Sequence, residues 1–531
     1  MRSTVILLAL GLAASACRAD EGEPHATTAF STSSGDATSS ADDAATATAS
    51  TDDAAEESTA LGDDSSTGDV PPPIVPGVTA EYYAGYHDLV LSRVENSIDA
   101  VWGMAAPDPA LGPDRFSARW SGWLTAPSTG TYTIATETDD GVRLWIDDVL
   151  VIGDWTPQFV TRNEAQVELT AGVAVPIRLE YFEIDLDASA RLLWSSAEIA
   201  EEPIDSEHLT TVDVPSDRPS PKPPYHNPVV PFDCPDPGVI AVTDDDGIPT
   251  YAMVCTGGTF PIRTSRDLVF WSDSGAAILP NGKPSWAANG NRNWAPEIHR
   301  VGDRYVAYYT CADGDNRLSI GYATADDVLG PYTESPGPLV QNPVGVIDAT
   351  FLVADDVPYL FYKIDGNSVG QPTPIFVREL AADGESFAPG SSQIQVLVND
   401  GGTWEGGVVE APWIVENDGM YFLFYSGNVY DHRYRTGVAR SASPTGPYEK
   451  HGAPILANNE RWVGPGHGTV LDVGGLHYLV YHAWTNAGDG TNEGSAGRHG
   501  LVDRIQWVDG WPTIHDGTPS RSWQPWPGEQ D

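Results

Sequence analysis

The stretch Asp418-Gly419-Met-Tyr421-Phe-Leu-Phe-Tyr425 couples a tight-turn pair to a short apolar run, and Gly437-Val-Ala-Arg440 and Gly446-Pro-Tyr448 follow it. An Asp-Gly pair readily takes the positive φ of a hairpin turn, and a short aromatic run bounded by turn residues reads as a buried strand. The unit recurs. Tyr251-Ala-Met-Val-Cys255, Tyr305-Val-Ala-Tyr-Tyr309, Tyr359-Leu-Phe-Tyr-Lys363 and Tyr478-Leu-Val-Tyr-His482 complete five copies, at spacings of 54, 54, 62 and 57 residues. Asp246-Gly247, Gly302-Asp303, Asp355-Asp356 and Gly474-Gly475 precede them, and Gly321-Tyr-Ala-Thr324 with Gly330-Pro-Tyr332 repeats the second echo. About four strands fit one such period, the dimension of a propeller blade, so the repeat predicts a five-bladed β-propeller over residues 225–531. A second β-sandwich has no reason to repeat one turn-and-tyrosine unit at a nearly constant period.

A propeller brings its inner strands around one axis, so one motif per blade can converge on a central pocket. Such motifs stand in order: Asn227 to Asp236-Pro-Gly238, Asn293-Trp294-Ala-Pro-Glu297, Val346-Ile-Asp348-Ala-Thr350, Val409-Glu410-Ala-Pro412 and Gly464-Pro-Gly-His467-Gly468. This ordered set, with Arg498 to Gly510-Trp511-Pro512, resembles glycoside hydrolase family 43, the inverting arabinofuranosidases, xylosidases and arabinanases. The resemblance implies Asp236 as general base, Glu410 as general acid and Asp348 as the carboxylate that orients the acid and tunes its pKa. Inversion needs one ionised carboxylate to activate water and one protonated carboxyl across the bond, roughly 6.5–9.5 Å apart. A negative Asp348 would disfavour ionisation of Glu410. Singly, Asp236 also reads as a turn former, Asp348 as a strand-end cap and Glu410 as a solvated edge charge. Glu297 reads as structural. Trp294 either stacks on a sugar ring or fills space between blades. His467 matches the family's central histidine, which in many members faces a hydrated Ca²⁺, although Gly468 stands where Asn or Asp is common; a lone histidine is otherwise a satisfied core group. Arg498 is a candidate substrate clamp.

Upstream, apolar and polar residues alternate over Arg119–Thr125, Gly130–Thr136, Val142–Ile146, Ala165–Leu169 and Val175–Tyr181, which predicts a β-sandwich at 76–211. Phe116-Ser-Ala-Arg-Trp120, Asp139-Asp140-Gly141-Val-Arg-Leu-Trp-Ile-Asp147 and Arg191-Leu-Leu-Trp194 resemble the protective-antigen-type domain, often appended to glycosidases and adhesins. In that family's sugar-binding members two adjacent Asp hold Ca²⁺, and Asp139 and Asp140 match them. The other reading of Asp-Asp-Gly is a plain turn. Residues 212–224 read as a linker.

The N-terminus carries Arg2, an apolar run from Val5 to Ala14 too short to span a bilayer, and Ala14-Ser-Ala-Cys17. Residues 1–17 are expected to be a signal peptide of lipoprotein type, or an ordinary secretory one, and 18–75 a disordered spacer with 13 Asp/Glu against one Arg. Over the chain, 75 Asp+Glu against 28 Lys+Arg give −47, a field that repels nucleic acid and leaves a lipid anchor as the expected membrane contact. Four cysteines without metal spacing exclude a zinc scaffold, and export permits a Cys234–Cys255 disulfide with Cys311 free. No organic cofactor is expected, and oligomeric state stays open. The reading is an all-β, exported glycosidase acting on arabinofuranosyl or xylosyl linkages of plant-type polysaccharide. A catalytically inactive glycan-binding adhesin and a glycosidase of another five-bladed family are the alternatives.

Overall fold

The computed structural model describes residues 75–212, 218–243, 247–288, 292–494 and 497–529. The signal peptide, Cys17 and the spacer up to residue 74 lie outside them. The described residues form one compact unit.

Within it, two antiparallel sheets make the predicted sandwich. One runs Asp88–Glu95, Val78–Ala84, Phe116–Thr125, Ala174–Glu183, Val142–Ile146, Val149–Asp154, with Leu209–Thr211 also on Phe116–Thr125; the other runs Glu202–Pro203, Ala188–Ser195, Gly130–Asp139, Thr161–Leu169, with Asp99–Gly103 also on Ala188–Ser195. The period of two is visible in what faces inward: Ala118 and Trp120, Tyr132 and Ile134, Val142, Leu144 and Ile146, Leu192 and Trp194. The strand expected from Arg119 begins three residues earlier, at Phe116, because Phe116 and Ala118 continue the buried face.

Five four-stranded antiparallel sheets follow, each built from consecutive strands. Their inner strands are Gly238–Thr243, Trp294–Val301, Val346–Ala354, Val409–Asn417 and Trp462–Val473, and the tyrosine repeats are the second strands. The four turn pairs within the described residues are therefore the hairpins from first to second strand. Asp355 and Asp356, Asp418 and Gly419, and Gly474 and Gly475 all have positive φ, the twist that a two-residue hairpin requires. The second echo is the third strand of its blade. At Gly321 and Gly437 a side chain would collide with Trp286 and Trp404, which cover the second-strand tyrosines Tyr309 and Tyr425 in stacked pairs.

Each inner strand neighbours the next, and the fifth neighbours the first, so the ring closes. Asn227 makes the clasp. Its Nδ2 donates to the Val502 carbonyl at 2.9 Å and its Oδ1 accepts the Val502 N–H at 2.9 Å, so a side-chain amide replaces a strand's backbone, while Tyr225 pairs with Gln524 and Val230 with Gly500.

The sandwich packs against the first and fifth blades. Tyr86 and Phe182 enter a cluster with Phe270, Leu268 and Trp526, with Tyr86 5.6 Å from Trp526 edge-on and Arg115 4.5 Å over Phe270. His87 Nε2 lies 3.1 Å from Asp267 Oδ2, and Arg266 donates to Asp88 at 2.7 Å. Residues 218–224, expected as linker, belong to this joint: Arg119 and Trp155 donate to the carbonyls of Pro219 and Lys222. Cys234 and Cys255 are joined in a disulfide and Cys311 is free and buried.

Candidate active site

Four of the five inner strands carry a β-bulge near the axis. Register slips between Trp294 and Glu297, Ile347 and Thr350, Glu410 and Trp413, and Gly466 and Thr469. In each, one residue takes a left-handed backbone: Ala295 (φ 40°), Asp348 (57°), Ala411 (55°) and His467 (49°); Asp236 (54°) takes it just before the first inner strand. Asp and His tolerate that region better than most residues, and a bulge re-aims the side chains beside it. Asp236, Asp348 and His467 sit on the left-handed residue itself, and Glu410 one residue before it.

These side chains line one cavity of about 280 Å³ together with Thr256, Trp294, Ile347, Asp365, Asn367, Tyr430 and Arg498. The structure thus brings together every propeller residue the sequence proposed for chemistry or substrate. Trp294 is half-buried on the cavity wall. Glu297 lies outside it, buried and paired with His299 at 2.8 Å.

Asp236 is held by three partners. Thr256 donates its hydroxyl to Oδ2 at 2.6 Å, Arg498 Nη1 donates to Oδ1 at 3.1 Å, and His467 Nδ1 lies 3.2 Å from Oδ1. Burial opposes its charge, but Arg498 and His467 outweigh burial and hold the carboxyl well below the usual range, so it is ionised. Arg498, expected as a clamp on substrate, is therefore first a clamp on the base. His467 is likewise disfavoured as a cation by burial, yet Asp236, Asp348 and Glu297 push it up to about 9. His482 behaves in the opposite way. Its Nδ1 accepts the backbone N–H of Asp236 at 3.1 Å, which puts its proton on Nε2, and burial and Arg498 keep it neutral. The 3.4 Å approach of His482 Nδ1 to Asp236 Oδ1 is then a contact of two acceptors, not an ion pair.

Glu410 accepts from Lys363 Nζ on Oε2 at 2.8 Å and from the Tyr434 hydroxyl on Oε1 at 2.8 Å. Lys363, fully buried, also reaches Asp365 Oδ1 at 2.9 Å; burial opposes its charge, but Glu410, Asp365 and Asp348 raise its pKa above the ordinary value. Asp348 Oδ2 accepts the backbone N–H of Ala411 at 2.9 Å, so it fixes the bulge that carries Glu410. Asp348 was expected to act through its negative charge. Burial, with Glu410 and Asp236 nearby, instead drives its own carboxyl well above the ordinary range, against the pull of His467 and Lys363.

Thr256, Lys363, Asp365, Tyr434 and His482 went unrecognised in the sequence. Two had a signal: at the last position of the five repeats, Lys363 and His482 stand where the other blades have Cys255, Tyr309 and Tyr425.

In the sandwich, Asp139 and Asp140, joined by a cis peptide, are met by Glu183, and these three place ligand oxygens within 4.8 Å of one another. Backbone N–H groups of Val160, Gln158 and Ile184 orient the two Asp carboxylates. Burial and the two Asp push Glu183 up to about 9, and its buried Oε1 has no hydrogen-bond partner. Three hard oxygens around an orphaned acceptor fit a divalent cation such as Ca²⁺. On the propeller axis His467 Nδ1 is committed to Asp236, and among the described residues no three His, Cys, Asp or Glu gather ligand atoms there.

The model of glycosyl hydrolases family 43 matches residues 225–512 and that of the PA14 domain matches 75–208. A probable arabinan endo-1,5-alpha-L-arabinosidase C of Aspergillus clavatus is 28% identical over 307 residues, 52% of this chain and 91% of that one. The extracellular exo-alpha-(1->5)-L-arabinofuranosidase ArbA of Cellvibrio japonicus is 25% identical over 300 residues, 50% of this chain and 83% of that one. The anti-sigma-I factor RsgI3 of Acetivibrio thermocellus is 40% identical over 148 residues, 28% of this chain but only 22% of its own length. Among solved structures, a thermostable family-43 glycoside hydrolase superposes with a TM-score of 0.50 at 26% identity, over 58% of this chain and 100% of that one. A five-bladed ring with its acidic motifs in this order, and a family model matching more than half of the sequence, together mean that the chain belongs to glycosyl hydrolases family 43.

Proposed function

We propose that the chain is an inverting glycosidase that removes α-L-arabinofuranosyl or β-xylosyl units from plant-type polysaccharide. The observation that carries this reading is that two carboxyls, Asp236 and Glu410, open into one cavity from separate blades. Asp236 is held ionised by Arg498 and His467, whereas Glu410 projects from a bulge fixed by Asp348. In the reaction the water oxygen attacks the anomeric carbon as Asp236 takes its proton. The bond to the leaving oxygen breaks, and Glu410 gives its proton to that oxygen. Trp294, Tyr430 and Asn367 on the cavity wall hold the sugar. The arabinan-cleaving relatives favour arabinofuranose over xylose.

Nuclear magnetic resonance of the first-formed sugar is expected to show the anomer opposite to the substrate's. Glu410→Gln is expected to cost about 10²–10⁴-fold on natural linkages and much less on activated aryl glycosides, which leave without a proton. A retained anomer, or equal losses on both substrates, would refute these roles. Export, which the extracellular relative supports, is part of the proposal. Lipid attachment at Cys17 is the proposed anchor, and a Cys17→Ser chain that stays in the membrane fraction would refute it.

A further inference from the structure

Glu410 is held in a way that suits its product better than its starting state. Both of its oxygens accept from fixed donors, Lys363 Nζ at 2.8 Å and the Tyr434 hydroxyl at 2.8 Å. A protonated carboxyl must use one oxygen as a donor, so two acceptor oxygens are the pattern of the carboxylate. Lys363 is not free to turn elsewhere. It is 0% exposed, rises from the second strand of the third blade and is tied to Asp365 at 2.9 Å. Tyr434 stays a phenol, because burial and then Glu410 raise its pKa far above neutrality.

We propose that Lys363 is a positioning residue that acts through Glu410, taking up the negative charge that develops there as the acid's proton passes to the leaving oxygen. The proposal rests on the reading of Glu410 as general acid. As the O–H bond of Glu410 breaks and the O–H bond of the leaving group forms, the electron pair left on Glu410 meets an ammonium already in place. An ammonium attracts a carboxylate more strongly than a neutral carboxyl, so the interaction grows along the reaction and favours the transition state over the ground state. The same cation has an opposite effect at high pH, where it eases loss of the acid's proton to solvent. Asp348, on the preceding inner strand, and Asp236, across the axis, oppose it; His467, on the following inner strand, and Tyr434 complete the groups facing Glu410, and Asp365 tempers Lys363.

The test is a set of kcat/KM profiles against pH for the full chain, on an arabino-oligosaccharide and on an aryl arabinofuranoside. Lys363→Met is expected to move the alkaline limb upward by about one pH unit. It is also expected to cost about tenfold more on the oligosaccharide than on the aryl glycoside. Asp365→Asn, which leaves Lys363 more fully on Glu410, is expected to move the limb downward. Melting curves establish that each variant folds; if Lys363→Met does not, the sign of the Asp365→Asn shift decides alone. Limbs that stay in place, or equal losses on both substrates with Glu410→Gln still selective, overturn the proposal. A Glu410→Gln that is not selective overturns the acid assignment instead.

Discussion

Tyr434 joins the two halves of the chemistry in a way that no motif announces. Its hydroxyl fixes Glu410, while its ring lies 5.7 Å from His482 at an interplanar angle of 4°, and His482 in turn holds the backbone of Asp236. Acid and base are thus spaced by one aromatic pair. Gly466 is the condition for that pair: a side chain there would sit 2.5 Å from the Tyr434 ring and 2.8 Å from Ser426 Oγ, whose hydroxyl accepts the N–H of His467 at 2.9 Å. Gly466→Ala is therefore expected to push the ring away, release one donor from Glu410 and lower kcat about 10–100-fold, with a stability loss of about 1–3 kcal/mol from overpacking. Steady-state kinetics and a thermal melt check it, and an unchanged kcat would free Tyr434 from this role.

At the scale of strands, the repeat in the sequence corresponds to the second strand of each blade, which is buried and therefore apolar, and this is why the ring was legible. The inner strands were harder to read. Their bulges interrupt the period of two, so the positions that point to the axis follow no alternation. Motif order pointed to Asp236, Asp348 and Glu410, and to Arg498 on a third strand, but the other side-chain donors around them come from second strands and loops, where a single Lys363 or Tyr434 carries no pattern. The clasp has the same character, since Asn227 opens the first blade's motif with nothing in the sequence to show that its amide replaces a strand. Asn227→Ala leaves the N–H of Val502 buried without its partner, a loss of about 1–3 kcal/mol, while the Val502 carbonyl keeps the Tyr225 hydroxyl at 3.1 Å. Urea denaturation is expected to show a lower midpoint, and exchange of the Val502 amide a local opening between the first and fifth blades.

Across the whole molecule, the sandwich is built into the enzyme's body instead of hanging from it. Asp267 belongs to the joint: burial opposes its charge, but His87 and the backbone N–H groups of Phe270 and Val269 outweigh burial and lower its pKa. A folded-state pKa below the unfolded value of about 3.9 contributes stability that is present above that pH and is lost as pH falls through the folded value. Asp267→Asn is accordingly expected to lower the melting temperature of the full chain near neutrality and to flatten its fall below about pH 4. An equal deficit at every pH would assign the loss to packing alone. We also propose a Ca²⁺ site at Asp139, Asp140 and Glu183. Added calcium should then raise the melting temperature of the full chain, and Asp140→Asn should abolish that rise; if both chains respond alike, the three carboxylates are not the site. The clasp, finally, sets Tyr225 and Gln524 side by side. A short bridge from one to the other would leave the ring intact, and the chain could then be cut open at a surface hairpin such as Asp355-Asp356. The order in which the five blades are translated is then a matter of genetic history, and a circularly permuted propeller would gather the same carboxyls around the same axis.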